Sequence, residues 1–328
     1  MNGKRPGGSA GTVQEMETRR RPGLVVRGVS LVGERFPLVL ALLLGIILGG
    51  VHLGAGLLHA PGGDFWSRYD ALAGQEAEWI RDIATRGYVT TVPPAPSANM
   101  EDSNVAFFPG YPVLVSGMMH AFGLGVREAF FWATQLGVTL FWMYVAAFLL
   151  RWRVSAAVAI LLTGAVLLHP AAAAMVASGD ALFLGLLLGL IYWSTREGGT
   201  AACLAMVHGA GLTAVKLLGV PAMLGALAGT RAVRRRGWHE SMENMERQVI
   251  TALVGLTGAA FFFGFCQARF GVWDLYLQTV LPEWRNAAIY EAAWQWKLYV
   301  PEGWSALKQA SWMQWALWSL PWMAALTA

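Results

Sequence analysis

The stretch GQEAEWIRDIATRGY, Gly74 to Tyr88, carries an acid where an apolar side chain is expected. Read as a helix at about 100° per residue, Leu72, Trp79, Ile80 and Ile83 fall on one narrow face and Glu76 in its middle. A carboxylate partly buried in that way is pushed toward higher pKa and becomes a better proton acceptor. Asp70 lies on the opposite side of the same projected helix, so it reads as solvated unless Gly74 breaks the helix. Three more ionisable residues interrupt apolar runs. His169 and Asp180 bound HPAAAAMVASGD, and Lys216 is the only lysine between Thr200 and Gly229. Ionisable residues set in apolar surroundings in this way point to a polar cavity, and a lysine there could lie beside a lipid phosphate.

Each residue also has a plainer reading. Glu76 could be solvated or paired with Arg81 or Arg86. Asp180, two residues after Ser178 and ahead of an apolar helix, could be a helix cap. Lys216 could snorkel from a helix end to the interface, and the tryptophans could be interfacial anchors rather than sugar platforms.

What must position these residues is a membrane bundle. The chain is 56% hydrophobic and only 13% charged, with 16 tryptophans in 328 residues, a composition that excludes an ordinary soluble domain. Phe36 to Leu58 holds no charged residue over a length that crosses a hydrocarbon core of roughly 30 Å, and reads as an uncleaved anchor. Met1 to Arg35 is Gly-rich and basic, as expected of a disordered cytoplasmic tail. The stretch Ala60 to Arg127, with the breaker-rich VPPAPSANMEDSN, belongs outside, and within it Tyr111 to Leu124 reads as a half-helix started abruptly by Pro109 and Pro112.

Ala129 to Leu150 is a second full span, stopped by Arg151, Trp152 and Arg153 on the inner side. Val154 to His169 and Asp180 to Trp193 form a hairpin with its tip outside. Thr200 to Gly229, interrupted by Lys216 and Pro221, makes two short crossings with Lys216 near the outer turn, which keeps Arg231, Arg234, Arg235 and Arg236 inside. Val249 to Cys266 then crosses outward to a second external loop, residues 269 to 310, and Ser311 to Ala328 starts back. The chain therefore reads as C-terminally incomplete, with further helices expected. This topology places Gly74, Asn104 and Trp294 outside, Arg153, Arg196 and Arg235 inside, and brings Asp70, Glu76, His169, Asp180 and Lys216 to one external face. Ionisable groups at membrane depth cost about 2.5 to 3.5 kcal/mol each, so they face a protein interior or a wet cavity. Cys203 and Cys266 lie in apolar segments and read as packing residues, not as a disulfide framework. The modest net charge of +4 has its basic clusters beside apolar segments, which fits membrane orientation and gives no case for nucleic acid. The fold expected is all-α: a polytopic membrane helical bundle with a large external first loop carrying an amphipathic helix.

EAEWIRDIATRGY followed by VAFFPGYPVLV resembles the external-loop signature of the GPI mannosyltransferase II (PIG-V-like) family, integral-membrane glycosyltransferases of the GT-C class. In that family an acidic residue, usually Asp in a Trp-Asp pair, precedes a Trp, an Ile-Ala, a Gly-Tyr and then Phe-Phe-Pro-x-Tyr-Pro. Here Glu76, Trp79, Ile83, Ala84, Gly87, Tyr88, Phe107, Phe108, Pro109, Tyr111 and Pro112 stand in that order. The similarity continues more weakly through SGDALF and LTAVKLLGVPAML and ends near Trp284. Two departures stand out: Glu replaces the usual Asp, and an Arg-aromatic-Asp triplet appears six positions early as Arg68, Tyr69 and Asp70. Either carboxylate is thus a candidate for the inherited base.

The resemblance implies inverting transfer of a sugar from a polyprenyl-phosphate donor to a hydroxyl on a glycan or glycolipid acceptor, with no cofactor and no metal demanded. It implies Glu76 or Asp70 as catalytic base, and Lys216, Asp180, Trp79, Tyr88, Phe108, Tyr111 and His169 around the substrates. The setting would be the plasma membrane of a bacterium or the endoplasmic reticulum of a eukaryote. The competing class is a transporter or lipid flippase, whose broken helices and buried ions give a similar polar cavity; a structural membrane subunit comes third.

Overall fold

A computed structural model describes residues 24–91, 103–168, 170–233 and 238–279. All regular structure among them is helical. The helices are α1 Leu24–His59, α2 Phe65–Arg86, α3 Gly110–Phe122, α4 Val126–Arg151, α5 Ala156–Leu168, α6 Pro170–Met175, α7 Asp180–Ser194, α8 Gly199–Val215, α9 Gly219–Val233, α10 Trp238–Gly255 and α11 Thr257–Phe270.

Three stretches are long and apolar enough to cross a membrane: Pro37–His59, Val126–Arg151 and Met245–Phe270, the last running through α10 and α11. The first two coincide with the spans expected from the sequence. The third begins before Val249 because Met245 to Gln248 continue the same helix. Four shorter apolar helices lie in α5, α7, α8 and α9. The tail reading is corrected in part: α1 is already helical at Leu24, since LVVRGVSLVGER continues its turns without a breaker ahead of the span. Residues 1–23, most of the second loop and the segment Ser311 to Ala328 lie outside the described residues.

The bundle is built in chain order, with α1 packed on α4, α4 on α7, α7 on α8, and α8 on α10 and α11. Close approach is made by small residues, as packing between apolar helices requires. A Cβ on Gly137 of α4 would stand 2.7 Å from the Leu182 backbone nitrogen of α7. The largest buried side chains include Trp142, Tyr69, Tyr111 and Tyr192. His52 ties three helices together, its Nε2 donating to the Ala172 carbonyl at 2.7 Å and its Nδ1 accepting from the Trp142 indole at 3.1 Å. Val39, Leu43, Ile46 and Ile47 of α1 and Ile160 and Leu161 of α5 are exposed, the surface a lipid-facing helix presents. Cys266 is buried, as its packing role requires, whereas Cys203 is exposed and packs no core.

The polar stretch after α1 holds α2 and α3, where an amphipathic helix and a half-helix were expected. Asp64 caps α2: its Oδ1 accepts from the backbone of Trp66 at 2.9 Å and Ser67 at 3.1 Å, while Ser67 Oγ accepts from the Asp64 N–H, a reciprocal box that satisfies helix-end donors. The helix is not continuous. Gly74 has φ 62 and ψ −172, a break that glycine alone adopts without penalty, and two helices meet there.

Candidate active site

The break at Gly74 sets the two carboxylates of α2 in different surroundings. After it, residues 75 to 86 run as one helix, so Glu76 keeps its phase with Trp79, Ile80 and Ile83; Ile80 and Ile83 are buried, and Trp79 is partly so. Leu72 belongs to the preceding segment, and its place in the projected stripe does not carry over.

Asp70 is not simply solvated. Its Oδ1 accepts from the Arg81 guanidinium at 2.8 Å and its Oδ2 from that of Arg127. Both guanidiniums also lie over aromatic rings, Arg81 over Phe130 at 4.8 Å and Arg127 over Trp66 at 4.9 Å. The break therefore supplies the freedom that could have made Asp70 a rival base, but its two oxygens are committed to charge-assisted bonds. Arg81 pairs with Asp70 and Arg86 with Asp82 at 2.5 Å, so neither of the local pairings that would make Glu76 an ordinary surface residue is formed.

Glu76 instead faces Lys216, with Oε1 3.7 Å from Nζ, and Lys216 in turn bonds Asp180 Oδ1 at 2.5 Å. Three helices thus deliver one cation and two carboxylates to one half-buried place. Burial raises the Glu76 carboxyl above the ordinary glutamate range, with the Lys216 charge opposing that rise and the Asp180 charge adding to it. Asp180 opens α7 without a side-chain cap bond; its own N–H donates to Ser178 Oγ at 3.3 Å. Its carboxylate serves Lys216 rather than the helix end.

The Lys216 ammonium turns to these two carboxylates. The residue closes α8 in an extended conformation, φ −149 and ψ 145, with its N–H directed to the Leu212 carbonyl and its carbonyl accepting from Gly219 N–H at 2.8 Å. The interruption between Thr200 and Gly229 is thus at Lys216 to Leu218. Pro221 sits in the first turn of α9, where proline is tolerated.

The FFPGYP turn wedges the two sides together. A Cβ on Gly110 would meet the Ala214 carbonyl carbon at 2.7 Å and the Val215 nitrogen at 2.9 Å, so only glycine lets α3 start against the end of α8. The next residue, Tyr111, packs its ring where a Cβ on Gly179 would stand 3.5 Å away, and its hydroxyl bonds Thr134. Gly110 and Tyr111 therefore register Val215 and Gly179, the neighbours of Lys216 and Asp180.

The remaining aromatics build walls. Trp79 stacks on Phe107 with centroids 5.5 Å apart. Phe108 packs against Phe262, Phe263 and Tyr276. Tyr88 lies on Phe262 and Phe265 and donates to the Phe107 carbonyl at 2.8 Å, its phenol pushed far up by burial. Tyr88 and Phe108 thus pack against α11, whereas the Tyr111 phenol, bonded to Thr134, lies within electrostatic reach of Glu76. His169 lies outside the described residues. Asn104 was missed by sequence reasoning except as an external marker: it is fully buried, donates to Asp82 at 3.0 Å and the Gly87 carbonyl at 3.1 Å, and accepts from Val89 N–H at 2.9 Å. Arg127 and Gly110 were also missed. Only the position of Gly110 inside the motif could have drawn notice. Among the described residues no three histidine, cysteine or carboxylate side chains converge as metal ligands would.

Neither a scan of protein-family models nor searches of curated proteins and of solved structures finds a match to this chain.

Proposed function

We propose that the chain is a multi-pass membrane glycosyltransferase of GT-C type, similar to the PIG-V-like mannosyltransferases, that moves a sugar from a polyprenyl phosphate to a hydroxyl at the external membrane face. One observation carries the reading: a half-buried Glu76, its local pairings taken up elsewhere, stands 3.7 Å from Lys216 beneath the motif on which the resemblance rests.

The chemistry asks for little more. The acceptor oxygen attacks the anomeric carbon from the face opposite the phosphate and the bond to the phosphate oxygen breaks, inverting the centre. The acceptor proton passes to Glu76, and the polyprenyl phosphate leaves with the bonding electrons, its charge balanced by the Lys216 ammonium. Burial of Glu76 suits this step, because a raised pKa makes the carboxylate a stronger base. The orientation drawn from basic clusters puts α2, α3 and the Lys216 turn outside, where a lipid-linked donor would present its sugar. The membrane would be the plasma membrane in a bacterium and the endoplasmic reticulum in a eukaryote.

The test is incubation of the purified protein in lipid with labelled polyprenyl-phosphate sugars and a glycan or glycolipid acceptor. Donor consumption with inversion supports the reading, and no consumption of any donor overturns it. A second reading, a carrier, is favoured by the break between α8 and α9 at a charged residue, a feature of broken transport helices. In that case labelled solute crosses proteoliposomes while the donor stays intact.

A further inference from the structure

Lys216 is shared unequally. Its Nζ stands 2.5 Å from Asp180 and 3.7 Å from Glu76, a direct ionic hydrogen bond on one side and, on the other, a separation beyond hydrogen-bonding distance. The inequality is built into the backbone. Lys216 is held at both its N–H and its carbonyl, Asp180 opens α7 beside Gly179, and the Gly110–Tyr111 wedge fixes the spacing between the two. An ammonium bonded directly to Glu76 would favour the ionised carboxylate and weaken it as a base; one bonded to Asp180 does so less.

We propose that Asp180 is a positioning residue: its direct ion pair holds the Lys216 ammonium off Glu76 and so leaves Glu76 the stronger proton acceptor. This deepens the reading of Glu76 as the base and rests on it for its consequence in catalysis, though not for its geometry. The charged and titratable groups about Glu76 are Lys216 from the turn between α8 and α9, Asp180 from α7 and the Tyr111 phenol from α3, with Tyr276, beyond α11, near Lys216. Arg81 and Asp82 on its own helix are engaged with Asp70 and with Arg86 and Asn104.

Asp180→Asn removes one negative neighbour and releases the ammonium to Glu76, and both changes favour the ionised Glu76. The Glu76 carboxyl band, assigned by its loss in Glu76→Gln, is followed by infrared titration of the full chain in lipid. Its midpoint should fall by about 1 pH unit or more in Asp180→Asn. If sugar transfer is measurable, the acid limb of its pH profile should move the same way, and Asp180→Glu should restore part of the wild-type position. A merely structural Asp180 would lower turnover without moving the limb. Lys216→Met is the second variant, should Asp180→Asn fail to fold: with no ammonium to divide, the Glu76 midpoint should rise. An unmoved or raised midpoint in Asp180→Asn, or an unmoved or lowered one in Lys216→Met, overturns the proposal. Because the infrared readout needs no turnover, absence of transfer with a shifted midpoint sinks the functional reading alone.

Discussion

Gly110→Ala tests whether the wedge positions the site. The added methyl would lie 2.7 Å from the Ala214 carbonyl carbon, 2.8 Å from its oxygen and 2.9 Å from the Val215 nitrogen. All three are backbone atoms and cannot rotate away, so α3 and the end of α8 must separate by about 0.7 Å to reach ordinary contact. Overpacking of this kind costs about 1 to 3 kcal/mol, an apparent Tm lower by about 2 to 10 °C. The displaced strand of chain leads directly into Lys216, so transfer should drop by about 10- to 10²-fold, the scale on which ångström misplacement acts. The control is Gly117→Ala on the same helix, where a Cβ meets nothing within 4 Å. That change should be neutral or stabilising by up to about 1 kcal/mol, since alanine is the better helix former. Thermal unfolding in detergent and donor consumption in lipid are measured for both. If Gly110→Ala matches Gly117→Ala in both, the close approach does not hold the site and the reasoning fails.

Glu76→Gln keeps the volume but cannot accept a proton, so turnover should fall by about 10² to 10⁴ with donor binding retained. Asp70→Asn frees two guanidiniums and should act through stability; abolished transfer in Asp70→Asn beside normal transfer in Glu76→Gln would reverse the assignment of the base. Because burial raises the Glu76 carboxyl, the folded chain holds that proton more tightly than the unfolded one. Its contribution to stability is full below the ordinary glutamate value and is lost as pH rises through the raised one; denaturant unfolding across that window should show a slope that Glu76→Gln removes. In a Cys203→Ser background, Glu78→Cys should react with an impermeant reagent from outside and Arg153→Cys should not, both sites being exposed. Asn104 is unsuitable for this, being fully buried, and labelling of Arg153→Cys from outside would invert the topology.

The sequence alone determined where the helices long and apolar enough to cross a membrane lie, because length and hydropathy are local, and 37–59 and 126–151 lie where that argument puts them. It also determined the phase of Glu76 among Trp79, Ile80 and Ile83, since a helical period is local, and the break at Lys216, since a charge between two short apolar runs marks a helix end. What it left open was long-range. Asp70 and Glu76 lie on opposite sides of one projected helix and are both candidates for the inherited base; Gly74 separates them, and Arg127, 57 residues on, engages one. Asp180 reads equally as cap or site until α7 and α8 pack and bring Lys216 to it. Gly110 is an unremarked letter in a motif until Ala214, on another helix, presses against it. Periodicity and length are properties of neighbouring residues, whereas the partner of a charge depends on which helices pack together.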